Sequence, residues 1–340
     1  MAEMSTMAKA LKHISFVMPV LNEEKHLAAA VLAILSQDYS GQIQVVLALG
    51  PSTDGTNDVA DQICAGDSRV SYVQNPTGRT PEGLNAALAA TTQEIVVRVD
   101  AHSELSDGYI RLAVETLQRT GADNVGGIMG ARGVTSFEKA VAAAMTSPLG
   151  VGSAAFHTGG NEGPTETVYL GVFRRSALER VGGYDPNFTR AQEWEMNHRI
   201  RETGGTVWFN PQLFVTYRPR SSVRKLAKQY FEYGTWRHEV MRRHPETRTR
   251  KSALRYYAPP LAVMGIIGGT IAAFVGSALQ FFPLAFWGIL APLGYALVIL
   301  TSALSLAKRA RSGALWLPVV LTTMQLSWGI GFLASRPNSK

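Results

Sequence analysis

The first third of the chain alternates short apolar runs with longer amphipathic ones. Runs of apolar residues at 14–20, 43–49, 69–73 and 95–99 predict buried strands, and the stretches 24–37, 56–65, 81–91 and 107–119 carry apolar residues at helical spacing. Strands separated by helices need crossover connections, so the pattern predicts an α/β domain with a mostly parallel, Rossmann-like sheet. In such sheets ligands bind beyond the carboxyl ends of the strands. Three of those ends carry polar, loop-forming residues, Pro19 to Glu23, Gly50 to Gly55 and Asp100 to His102, and these are expected to converge on one cleft. The last quarter is patterned differently. No Lys, Arg, Asp or Glu occurs in 258–279, 283–307 or 314–334. At about 1.5 Å rise per residue, each run is long enough to cross a hydrocarbon core of roughly 30 Å, and three transmembrane helices are expected.

Charge refines this division. The formal net charge is +7, yet between residues 218 and 255 alone twelve Lys or Arg stand against three Glu. The basic excess is therefore local and does not point to nucleic acid. Val223, Leu226, Tyr230 and Phe231 can share a helical face, with Arg224, Lys225 and Lys228 turned away, which suits a helix lying on an anionic bilayer surface. The expected organisation is a tail (1–12), the α/β domain (13–217), a basic amphipathic interfacial segment (218–257), three spans within 258–334, and a tail (335–340). Met1 to His13 is polar or mixed and the first apolar stretch is short and holds Pro19, so no signal peptide is expected and the α/β domain stays cytoplasmic. A single cysteine, Cys64, agrees with a reducing compartment. Basic residues before the first span, and Lys308, Arg309 and Arg311 after the second, predict a multi-pass protein of a bacterial-type inner (plasma) membrane. The 280–282 turn and the C-terminal tail would lie outside.

A carboxylate and an imidazole two residues apart at the end of an extended strand, Asp100 and His102, can both turn into the cleft and hold a divalent cation, leaving positions for other ligands. Diphosphate oxygens of a nucleotide donor are suitable ligands, since the cation then offsets leaving-group charge. The alternative is a loop in which Asp100 bonds backbone amides.

The stretches "FVMPVLNEEKHL", "GPSTDGTNDVA", "NPTGRTPEGLNAAL", "VVRVDAHSEL", "YLGVFRRSALERVGGYDPNF" and "AQEWEMNHRIRETGG" occur in an order and spacing that resemble family 2 glycosyltransferases. The Asp-Ala-His form and "YRPRSSVRKLAKQYFEYGTWR" look most like the membrane-bound succinoglycan-biosynthesis subgroup. The resemblance implies a GT-A fold, a nucleotide-sugar donor, a divalent metal and inversion at the anomeric carbon. Pro19, Asn22 and Glu23 would border the nucleoside, with Glu23 contacting the uridine or its ribose. Arg79 and Asn85 are further donor-side candidates, and Asp100 serves both donor and metal. Relatives carry an acidic residue before the Ser-Thr-Asp-Gly-Thr turn to bind the uracil edge, whereas Ala48 to Pro51 supply none; Asp54 is the candidate substitute, and capping of the next helix is its bland alternative. His102 stands where many relatives place a second Asp. Imidazole is the softer ligand, which favours Mn²⁺ over Mg²⁺.

Relatives open the "AQEWEMNHRI" segment with Glu-Asp, the Asp taking the acceptor proton; here the pair is Gln192-Glu193, and Glu193 is the expected general base. Trp194, Gln229, Trp236 and Arg237 are candidate acceptor-side residues. "QYFEYGTWR" does not match the Gln-x-x-Arg-Trp spacing of processive relatives, so addition of a single sugar is expected. The resemblance further implies a lipid-linked, polyprenyl-diphosphate acceptor presented at an anionic membrane surface. Alternatives are transfer to a polyprenyl phosphate, processive synthesis, or a membrane-anchored nucleotide-binding protein without catalysis.

Overall fold

The computed structural model describes residues 13–248 and 254–335; the predicted N-terminal tail, part of the basic segment at 249–253 and the last five residues lie outside them. The chain forms two compact units, one of residues up to Gly130 together with Thr158–Tyr217, the other of Ala131–His157 and the chain from Arg218 onward.

In the first unit β1 (Ile14–Val20), α1 (Leu27–Leu35), β2 (Ile43–Leu49), α2 (Thr56–Gly66), β3 (Val70–Gln74), α3 (Thr80–Ala89) and β4 (Ile95–Arg98) alternate as the apolar pattern predicts. β5 (Glu104–Leu105), α4 (Tyr109–Thr120) and β6 (Asn124–Ala131) follow. The sheet runs β3-β2-β1-β4, and these four strands are parallel. Every residue of β1 except Pro19 is buried, as expected of a strand covered on both faces. Phe16, Met18, Leu47 and Val97 pack with Tyr109 and Ile110 of α4 in one core.

Beyond β4 the expectation of a mostly parallel sheet fails. β7 (Gly163–Pro164), β8 (Tyr169–Arg174) and β9 (Val207–Tyr217) complete a nine-stranded mixed sheet, with β8 antiparallel to both β4 and β6, and β9 antiparallel to β5 and β7. The helices between these later strands, unlike those before β4, do not serve as crossovers joining parallel neighbours of the sheet. α8 (Arg175–Arg180) and α9 (Gln192–Glu202) sit between these strands in sequence.

The second unit holds α5 (Ser136–Met145), α6 (Pro148–Val151), the start of α7 (Ala155–Thr158), α10 (Val223–Arg243), α11 (Leu254–Ala278), α12 (Phe282–Ala310) and α13 (Leu317–Ala334). Where three spans are expected, two stretches are long and apolar enough to cross a membrane, Arg255–Ala278 and Phe282–Ala334. The second is one helical run because a 3-10 segment, Arg311–Trp316, continues between α12 and α13. α11 and α12 pack tightly along small residues: a Cβ on Gly269 would come within 2.5 Å of the Gly288 carbonyl oxygen, and one on Gly276 within 2.4 Å of the Ala285 nitrogen. α10 also differs from a helix lying alone on a surface. Leu226 and Tyr230 are buried and Arg224, Lys225 and Lys228 exposed as expected, but α10 packs against α13, where a Cβ on Gly331 would meet the Phe231 carbonyl at 2.1 Å and Thr235 donates its hydroxyl to the Gly331 carbonyl at 3.1 Å.

Candidate active site

The loops leaving β1 and β2 are tied to each other. Asn22 has a left-handed backbone, φ 57°; its Oδ1 accepts from the Thr53 N–H at 2.8 Å and its own N–H donates to Ser52 Oγ at 3.0 Å. The Glu23 N–H donates to Thr56 Oγ1 at 2.8 Å, and Asp54 accepts from the Thr56 N–H at 3.2 Å and the Glu24 N–H at 3.4 Å. The Thr56 hydroxyl beside Asp54 holds its carboxyl below the usual carboxylate range. Asp54 thus ties the start of α2 to the loop after β1. The loop after β4 joins the same cluster through Glu23, whose Oε1 lies 2.9 Å from His102 Nδ1. Pro19 ends this arrangement inside β1, paired in register with Ala48.

One guanidinium organises the chemistry. Arg98, the last residue of β4, has a side chain only 4% exposed; its Nη2 reaches Asp100 Oδ1 at 3.2 Å and its Nη1 reaches Glu193 Oε1 at 3.2 Å. Burial opposes the charge on Arg98, but Glu193 and then Asp100 outweigh it, so its pKa is raised. Glu193 is the second residue of α9, whose N-cap, Ala191, is left-handed at φ 57°. Burial raises the Glu193 pKa first of all, Arg98 opposes the rise, Asp100 adds to it, and a backbone hydrogen bond from Leu170 works against it. Leu170 is buried and also left-handed, at φ 60°. Backbone of this kind costs about 1–3 kcal/mol per residue and gathers where side chains must be aimed. Glu195 faces elsewhere, in a bidentate pair with Arg199 at 2.6 and 2.7 Å.

Comparison with known proteins decides the family. The profile described as Glycosyl transferase family 2 matches residues 15–182. The succinoglycan biosynthesis protein ExoA of Rhizobium meliloti (strain 1021) is 31% identical over 318 residues, which cover 93% of this chain and 92% of that protein. The chain belongs to glycosyl transferase family 2. A dolichyl N-acetyl-alpha-D-glucosaminyl phosphate 3-beta-D-2,3-diacetamido-2,3-dideoxy-beta-D-glucuronosyltransferase of Methanococcus voltae is 24% identical over 66% of this glycosyltransferase and 72% of its own length. The solved mannosyltransferase PcManGT from Pyrobaculum calidifontis, in complex with GDP-Man and Mn²⁺, superposes with a TM-score of 0.61 at 20% identity, covering 96% of this chain and 87% of that one, and shares the GT-A-like fold.

Other candidate residues of this glycosyltransferase have structural partners. Asn85 clamps the Tyr184 backbone, its Nδ2 donating to the carbonyl at 2.7 Å and its Oδ1 accepting from the N–H at 2.8 Å. The Tyr184 ring in turn lies under the Arg98 guanidinium, 6.0 Å from centroid to Cζ, and burial pushes its phenol up to about 12. Arg79 pairs with Glu82 at 2.8 Å and donates to the Pro186 carbonyl at 2.5 Å. Trp194 is buried and its ring stacks on His198, centroids 5.1 Å apart. Gln229, Trp236 and Arg237 lie on α10 in the other unit, Gln229 donating to Tyr233 Oη at 2.7 Å and Arg237 stacked over Tyr256 at 4.1 Å. Arg98, Tyr184 and Leu170 were not singled out by sequence. For Arg98 the signal was present, a charged residue inside a strand that otherwise reads as buried.

Proposed function

We propose that this family 2 enzyme transfers a sugar from a nucleotide-sugar, a UDP-hexose, to a lipid-linked saccharide at the inner membrane face, with inversion. The observation that carries it is Glu193, held at the start of α9 across one guanidinium from Asp100, at the mouth of the β1, β2 and β4 loops. Glu193 takes the proton of the acceptor hydroxyl. The hydroxyl oxygen forms its bond to the anomeric carbon as the bond to the diphosphate breaks from the opposite face, and nucleoside diphosphate departs. Arg98 fixes both carboxylates.

Asp100 and His102 fit a divalent cation by the chemistry of their donors. Asp100 gives one oxygen to Arg98, and the Glu23 carboxylate at His102 Nδ1 favours the tautomer whose lone pair is on Nε2, the arrangement common behind metal-ligating imidazoles. A bound cation would supply charge for the leaving diphosphate, with Mn²⁺ favoured over Mg²⁺. His102→Ala is expected to lower metal-dependent nucleoside diphosphate release about 10–100-fold and to weaken Mn²⁺ binding in parallel. Full release in the presence of a chelator would remove the metal from this reading.

Membrane attachment rests on the α11–α12 hairpin, whose outward side chains, Phe274, Leu279, Phe282 and Trp287 among them, are exposed and apolar. α13 is equally apolar but runs with polar company: Gln325 donates to the Leu149 carbonyl at 3.1 Å, and α10, which bears Arg237, Glu239 and Arg242, packs along it. The hairpin therefore crosses twice while α13 stays at the cytoplasmic interface, which moves the C-terminus inside. In a Cys64→Ser background, an impermeant maleimide should label Gln280→Cys from outside and Ser335→Cys only in inverted vesicles. Labelling of position 335 from outside would restore the third span.

A further inference from the structure

At the carboxyl end of α12 the chain turns through Ala310 and Arg311, the latter left-handed at φ 52°. An open cleft of about 620 Å³ lies there against α5, lined by Arg132, Lys139, Arg309 and Arg311 between small side chains such as Gly133 and Thr146. Among the described residues no acidic side chain lines it. Glu138, the acid beside Lys139 on α5, accepts from the Val134 and Thr135 N–H groups at 2.9 and 3.0 Å and so caps its own helix. Lys139 itself reaches Ser312 Oγ at 3.4 Å, which draws α5 and the turn together around the cleft. The α12 dipole places about half a negative charge at this end, and four cations outweigh it.

The same segments carry bare apolar side chains. Leu315 is 93% exposed, Leu304 68% and Val134 66%. A free anion needs no such surroundings. A phosphate attached to acyl chains does, since cations take its head group while neighbouring apolar surface meets its tails.

We propose that this cleft binds the phosphate head group of an anionic membrane phospholipid, an inference that rests on the membrane attachment proposed above. Native mass spectrometry of the full chain released from detergent tests it, with phosphatidylglycerol, phosphatidylcholine, undecaprenyl phosphate and inorganic phosphate as probes. Phosphatidylglycerol should be retained over phosphatidylcholine. Arg309→Gln with Arg311→Gln should reduce that retention at least about tenfold, at roughly fivefold per basic residue removed, while leaving nucleotide-sugar binding unchanged. Lys225→Gln with Lys228→Gln, an equal loss of charge on α10, should change retention by less than about twofold. Equal loss in both pairs would make the attraction diffuse and overturn the cleft. So would retention of undecaprenyl phosphate alone, of inorganic phosphate as firmly as lipid, or of phosphatidylglycerol no better than phosphatidylcholine. Wild-type protein found in the soluble fraction sinks the membrane reading, whereas membrane-bound protein indifferent to phosphatidylglycerol sinks the cleft alone.

Discussion

Glu193→Gln is expected to abolish sugar transfer, a fall of about 10²–10⁴-fold or more, the range a positioned base supplies, while nucleotide-sugar binding persists. Glutamine keeps the length of the side chain and can still accept from the Leu170 N–H and face Arg98, but it cannot take the acceptor proton. The pH profile offers a second readout. A base works only when ionised, and burial raises the pKa of Glu193 above the ordinary 4.5 even against Arg98. Activity should therefore fall on acidification at a higher pH than an exposed glutamate would give, and Glu193→Asp should retain a displaced acid limb where Glu193→Gln has none. Nucleoside diphosphate release with and without acceptor, beside calorimetric donor binding, measures both. Turnover by Glu193→Gln near the wild-type rate would end the assignment.

The second large effect belongs to Arg98. Arg98→Met removes the cation that two largely buried carboxylates share, at 3.2 Å from each. Stranding a buried charge costs about 3–5 kcal/mol, so the midpoint of thermal unfolding should drop by on the order of ten degrees. A merely space-filling arginine would make the same loss irreversible by other changes. Here Arg98→Met combined with Glu193→Gln should recover part of the stability, because the double variant leaves one carboxylate stranded instead of two. Strict additivity of the two changes would show that Arg98 and Glu193 are not coupled, and the site as described would fall.

Much of this was legible in sequence, for reasons that also mark where legibility stops. β1 and β2 fall at the predicted residues because a strand covered on both faces is a continuous apolar run. α1 begins at Leu27 instead of 24, after a turn in which the His26 and Leu27 N–H groups both donate to the Glu23 carbonyl at 2.9 Å. β6, "NVGGIMGA", does not read as a strand, since glycine weakens one. Its glycines are required by neighbours that sequence cannot see: a Cβ on Gly127 would lie 1.9 Å from the Leu213 carbonyl oxygen, and one on Gly130 would enter the Phe214 ring. The role of Arg98 is hidden likewise, for its second partner, Glu193, comes from α9 far along the chain. Apolar composition cannot show that α13, unlike α12, packs along α10, where a Cβ on Gly331 would meet the Phe231 carbonyl oxygen at 2.1 Å.

The side chains meeting at the strand ends do not balance. Asp100 and Glu193 bring two carboxylates to the single guanidinium of Arg98, and a third, Glu23, lies against His102. A nucleotide diphosphate, itself an anion, is repelled by such a vestibule unless it arrives already escorted by a positive ion. Under the function proposed above, the electrostatics of the entrance would favour the escorted form ahead of any recognition of base or sugar.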